Sequence, residues 1–128
     1  MVVFERAVKV LLIDDEPAIL ANLEAYFEDE GFEILKTGNG EEAVATIAKE
    51  SVDVVIVDMR LSGINGNEVM RQALADGAKC KFIIHTGSNE YRVPDDLAAL
   101  GVSMDNVYLK PIKDMAVLVR AVRALVSG

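Results

Sequence analysis

The sequence of 128 residues predicts an α/β fold, a doubly wound parallel sheet of five strands in the order 2-1-3-4-5. Three observations carry that reading. Val52–Arg60 (VDVVIVDMR) holds an unbroken β-branched run, Val54 to Val57, that stops at Asp58. A strand apolar on both faces belongs in the middle of a parallel sheet covered by helices. Strand and helix signals also alternate along the whole chain, without linker, repeat or low-complexity segment. Right-handed crossovers then place helices on both faces. Finally, the second strand alternates in polarity more than the others and belongs at an edge, which sets the order.

Val8–Ile13 (VKVLLI) is predicted as the first strand, running into Asp14-Asp15-Glu16-Pro17. Pro17 suits a first helical turn, and Asp14 or Asp15 is expected to cap its free N–H groups. Ile19, Leu23 and Phe27 recur four apart as the buried stripe of the first helix, and Gly31 closes it. Phe32–Lys36 (FEILK) is the edge strand and TGNG a turn; Glu41–Glu50 then carries Val44, Ile47 and Ala48 at helical spacing. After the central strand, Arg60–Gly66 (RLSGING) is a loop, and Val69, Met70, Ala73 and Leu74 mark a third helix ended by Gly77. Cys80–His85 (CKFIIH) is the fourth strand. Ser88–Gly101 has weak helix signals interrupted by Pro94 and Asp95-Asp96, so the fourth helix is the least firmly specified element. Val107–Lys110 (VYLK) is a short fifth strand, and the last helix presents Leu118, Val122 and Leu125 to the core.

Composition bounds the function. The length predicts one domain over residues 1–128, with its core in 8–126 and little room for a second module. Hydrophobic residues make up 52% and aromatics only 5%, so the core is aliphatic. No apolar run approaches the ~20 residues that span a bilayer, and MVVFERAVKV lacks a signal-peptide layout. The only cysteine, Cys80, cannot form an intrachain disulfide, and with a single histidine it cannot build a zinc site. These features lead to the expectation of a cytoplasmic protein without membrane attachment. A formal charge of −8 argues against direct nucleic-acid binding by this domain.

In the order 2-1-3-4-5 the ends of strands one and three lie side by side at the switch point, where ligands of such sheets bind. Asp14, Asp15 and Asp58 then gather at one spot. Two carboxylates about 5 Å apart repel by roughly 3 kcal/mol at an effective dielectric near 20. A hard divalent cation such as Mg²⁺, which keeps waters and takes few protein oxygens, relieves that repulsion. For one aspartate alone helix capping is the better reading; for a pair beside a third acid the cation is. Thr86 and Lys110 end the fourth and fifth strands and reach the same edge. A threonine hydroxyl and a lysine ammonium both bind phosphoryl oxygens. Together the five residues supply a nucleophile, a metal seat and two oxygen binders, the equipment for phosphoryl transfer onto a carboxylate. His85 should face away from Thr86 in its strand and is read as packing, as are Cys80, Met104 and Met115. Arg120 and Arg123 are read as a solvated helix face.

The ordered set Asp14-Asp15, Asp58, Thr86 and Lys110-Pro111, each at a strand end, resembles the receiver domain of two-component response regulators, of the chemotaxis-regulator kind. The resemblance runs from Val8 to Leu125, and this family is itself one of the cases behind the switch-point rule. It implies a flavodoxin-like fold and an Asp58 that takes a phosphoryl group from a sensor histidine kinase or histidine phosphotransfer protein. It further implies Mg²⁺ held by Asp15 and Asp58, with Asp14 on a coordinated water and Arg60 giving its backbone carbonyl. Thr86 and Lys110 would bind the phosphoryl oxygens, Tyr108 would be the aromatic that changes rotamer beside Thr86, and Lys110-Pro111 would be cis. The surface of the fourth helix, fifth strand and fifth helix would meet a downstream output domain or protein, or a second copy in a homodimer. Such a domain is not an enzyme beyond its own phosphorylation and dephosphorylation. A scaffold receiver without phosphorylation and a Mg²⁺-dependent aspartyl-phosphate phosphatase are the alternatives; the intact acid set opposes the first, and Arg60 in place of a second acid the other. Ser62 stands where the family has proline, which predicts a less rigid loop after Asp58. Gly87 in place of alanine should loosen the start of the fourth helix, and the stretch from Thr86 to Lys110 is about two residues longer than the family norm.

Overall fold

A computed structural model describes residues 6–127 of the chain. Residues 1–5 and Gly128, which the sequence reading includes in the domain, lie outside the described residues. Five parallel strands form one sheet: β1 (Lys9–Ile13), β2 (Glu33–Thr37), β3 (Val54–Val57), β4 (Lys81–Thr86) and β5 (Val107–Leu109). Their order is β2-β1-β3-β4-β5, as expected. The connecting helices are α1 (Pro17–Asp29), α2 (Gly40–Lys49), α3 (Gly66–Ala75), α4 (Asp95–Ala99) and α5 (Ala116–Ser127). Among the described residues no helix is long and apolar enough to cross a membrane.

Strand alternation divides the core in two. Leu11, Ile13, Val55, Val57, Phe82 and Ile84 pack on one face against Ala43, Ile47, Val69, Met70 and Leu97 of α2, α3 and α4. Val10, Leu12, Val54, Ile56 and Ile83 pack on the other against Leu23, Phe27, Leu118 and Val122 of α1 and α5. Each of these apart from the small Ala43, fully buried, contributes about 1.5–3 kcal/mol. This doubly covered sheet is why β3 reads as an unbroken apolar run.

Several local expectations change. The buried stripe of α1 is Leu20, Leu23 and Phe27, with Ile19 at its margin. Neither Asp14 nor Asp15 caps the helix; its N-cap is Glu16, and the Asp14 carboxylate instead accepts the Glu16 N–H at 3.0 Å. Pro17 at the first turn removes one donor that a cap would have served. In α2 the helix begins one residue earlier than predicted and buries Ala43 rather than Ala48. Helix α4 has only five residues, starting after Pro94, with Asp95 and Asp96 in its first turn where acids suit the helix dipole. The added residues after Gly101 form a 3-10 turn, Met104–Asn106. Arg120 and Arg123 are exposed, as expected of a solvated helix face, and Arg123 also lies 5.5 Å over the Phe32 ring and donates to the Glu30 carbonyl at 3.2 Å. Met104 is exposed rather than packed, and its sulfur accepts the Val93 N–H at 3.3 Å. Met115 and Cys80 do pack as expected, and burial pushes the Cys80 thiol up to about 11.

Candidate functional site

Asp14, Asp58 and Lys110 are held by the sheet's own hydrogen bonds, carried one residue past β1, β3 and β5. The Asp58 N–H donates to Ile13 O at 3.0 Å, the Asp14 N–H to Thr37 O at 3.2 Å, and the Lys110 N–H to Thr86 O at 2.8 Å. Asp14, Asp58 and Thr86 are therefore fixed at one edge and nearly enclosed, with 2%, 6% and 3% of their surfaces exposed. Lys110 Nζ bridges the two acids, 2.6 Å from Asp14 Oδ2 and 3.3 Å from Asp58 Oδ2. Asp15 and Glu16 stay exposed at the rim, and the carboxylates of Asp14, Asp15 and Glu16 place oxygens within 4.8 Å of one another. A cleft of about 570 Å³ opens here, lined by Asp15, Glu16, Asp58, Arg60, Thr86, Gly87, Ser88 and Lys110.

The electrostatics follow from that enclosure. Burial raises the Asp58 carboxyl above its ordinary range, and Asp14 adds to this against the pull of Lys110. Burial disfavours the Lys110 ammonium, but its hydrogen bond and charge attraction to Asp14, with Asp58 behind, outweigh that and leave it raised. The Thr86 hydroxyl accepts the Ser88 N–H at 3.2 Å, which orients it at the cleft wall.

The structure thus brings Asp14, Asp15, Asp58, Arg60, Thr86 and Lys110 to one mouth of the sheet. Sequence reasoning missed Glu16, although it directly follows the acid pair in the same turn. It also missed Tyr91, whose hydroxyl donates to Asn67 Oδ1 at 2.6 Å and ties the segment after Thr86 to α3.

Residues 10–123 match the family described as "Response regulator receiver domain". The chain belongs to this family. It is 32% identical over 118 residues to the transcriptional regulatory protein AruR of Pseudomonas aeruginosa, covering 88% of this chain and 47% of AruR. It is 27% identical to protein PilH of the same species over 120 residues, 94% of this chain and 98% of PilH. This receiver thus spans about half of AruR and nearly all of PilH. The response regulator TrrA of Thermotoga maritima, solved with Mg²⁺ and BeF, superposes with a TM-score of 0.78 at 30% identity, covering 92% and 98% of the two chains. The receiver domain of the LuxO repressor from Vibrio parahaemolyticus has a TM-score of 0.84 at 21% identity, covering 95% and 92%, a likeness of fold.

One feature of this receiver departs from expectation. Tyr108 does not share a face with Thr86. The register pairs His85 with Tyr108 and Thr86 with Leu109, so Tyr108 packs on the α1–α5 side while Val107 packs on the Thr86 side. Side chains alternate along a strand, so a one-residue difference in position decides the face. The loop after Asp58 is tied to α2 and its cap, which hold Ser62 and Ile64. The Lys110–Pro111 peptide is cis, as expected.

Proposed function

We propose that Asp58 of this receiver domain, read as one unit over residues 1–128, accepts a phosphoryl group from a histidine kinase or histidine phosphotransfer protein, with Mg²⁺ bound beside it. The observation that carries this is Lys110 Nζ poised between Asp14 and Asp58 in the cleft that also holds Thr86. The donor set suits a hard cation: Asp15 is exposed and free to ligate, Asp58 is crowded by Asp14, and all donors are oxygens. Asp15, Asp58 and the Arg60 carbonyl would hold the ion, and Asp14, already committed to Lys110 and the Glu16 N–H, would act through a water. When bound, Mg²⁺ neutralises charge on the carboxylates and the incoming phosphoryl oxygens.

The chain's own part is nucleophile and oxygen binder. An Asp58 carboxylate oxygen attacks phosphorus; the phosphorus–nitrogen bond of the donor's phosphoimidazole breaks, and its electron pair stays on the departing ring nitrogen. Lys110 releases its bond to Asp58 and takes a phosphoryl oxygen, and the Thr86 hydroxyl turns from Ser88 to donate to another. Leu100, Met104 and Leu109 stand 61%, 43% and 49% exposed around α4 and β5, an apolar surface suited to an output domain, a separate output protein or a second copy. Treatment with acetyl phosphate and Mg²⁺, read by intact mass, should add one phosphate to the wild type and none to Asp58→Asn. Equal labelling of both would move the acceptor elsewhere.

A further inference from the structure

We propose that Glu41, on the first turn of α2, is a positioning residue for the phosphorylation site, clamping the loop that carries the Arg60 carbonyl away from Asp58. The proposal rests on the reading of Asp58 and Arg60 given above. A loop with serine in place of proline at position 62 and glycine at 63 has little stiffness of its own. Its rigidity comes from outside. Glu41 Oε1 accepts the Ile64 N–H at 3.0 Å, although the two residues lie 23 apart in sequence. The same carboxylate lies flat against Gly63, whose φ of +78° and missing side chain leave room for it; a Cβ there would overlap both carboxylate oxygens. Next to it the Gly40 N–H donates to Ser62 O at 3.3 Å, and Asn39 and Ser62 form an isolated parallel bridge. Gly40 is equally close, with a Cβ position occupied by the Ile64 carbonyl oxygen and side chain.

The loop's other end is fastened to the site itself. Gly66 packs against the Asp58 carbonyl and Met59, its N–H donates to Met59 O at 3.2 Å, and Asn65 caps α3 through the Glu68 N–H at 3.0 Å. Between these two anchors hangs Arg60, whose hydrogen bond to Asp58 is a long one, 3.4 Å from its N–H to Oδ1. Where the Arg60 carbonyl points is therefore set by how firmly Ser62–Ile64 are held. A glutamate at the first turn also favours the α2 dipole, but that role needs neither the Ile64 N–H nor the close approach to Gly63.

Three measurements on Glu41→Ala and Glu41→Gln test this: exchange of the Ile64 amide, Mg²⁺ affinity followed by thermal shift, and the rate of labelling by acetyl phosphate. In Glu41→Ala the Ile64 amide should exchange faster, and both Mg²⁺ affinity and labelling should fall about five- to tenfold, what the net loss of one ordinary hydrogen bond accounts for. Glu41→Gln keeps an acceptor oxygen and should recover most of each loss, which a mere loss of charge would not allow. Gly63→Ala, which displaces the carboxylate, should reproduce the alanine variant's pattern. Faster Ile64 exchange with wild-type Mg²⁺ affinity and labelling would overturn the positioning role, and unchanged exchange would overturn the clamp itself. A wild type that binds no Mg²⁺ and takes no phosphate would instead defeat the proposed function, and this proposal with it.

Discussion

Acid should destabilise this protein through His85. The imidazole lies on β4 with 4% of its surface exposed, between Ile84 and Thr86 in the strand order and beside Tyr108 across the ladder. Its Nε2 has no hydrogen-bond partner among the described residues. Burial, helped by the charge of Lys110 and opposed by Asp14, lowers its pKa from 6.5 to about 4. Between those values the unfolded chain binds a proton that the folded one does not. Stability therefore rises with pH across that window, is fully present above 6.5, and is lost as pH falls toward 4. The whole window is worth about 3 kcal/mol, and the step from pH 7 to pH 5 about 2 kcal/mol. Asp58, with its carboxyl raised, works in the opposite direction: it favours the fold at low pH and loses that contribution as pH rises through its folded value. Urea unfolding of wild type and His85→Leu at pH 5, 6 and 7 separates the two, since Asp58 is common to both. The gap between the proteins should close or reverse by about 2 kcal/mol on going from pH 7 to 5. Parallel profiles would refute the reasoning and mean that water reaches the ring.

Three further outcomes are expected. Mg²⁺ at a hundredfold excess over its dissociation constant should stabilise the wild type by about 2.7 kcal/mol, and Asp15→Ala should lose most of that gain in a thermal-shift titration. Asp58→Asn should unfold at higher urea than the wild type at pH 7, because it removes a carboxylate that burial and Asp14 disfavour; a lower midpoint would mean that the bond to Lys110 dominates. Tyr91→Phe should cost about 1 kcal/mol for its hydrogen bond to Asn67 and speed amide exchange chiefly over residues 88–99, a pattern checked by exchange mass spectrometry.

The sheet and its acid cluster were readable from the chain because both rest on local pattern. Four consecutive β-branched residues favour a strand covered on both faces over a buried helix, and an aspartate directly after such a strand stands at its carboxyl end. Once the more polar β2 is put at the edge, Asp14 and Asp58 have to be neighbours. Helix α4 was visibly weak for the same local reason, the Pro94-Asp95-Asp96 interruption. What the pattern could not supply is which side chains meet across elements. The face taken by Tyr108 depends on the β4–β5 register, where one residue reverses the outcome and nothing in VYLK states it. Asp14 could cap a helix or pair with a lysine 96 residues away; only the folded geometry commits it to Lys110 and leaves Asp15 open at the rim. Glu41 and Ile64 carry no shared motif, and their bond exists because Gly40 and Gly63 let the start of α2 and the loop after Asp58 approach more closely than any side chain would permit. Periodicity is a property of neighbours in the chain, whereas register and close approach are set by many weak contacts summed over the whole fold.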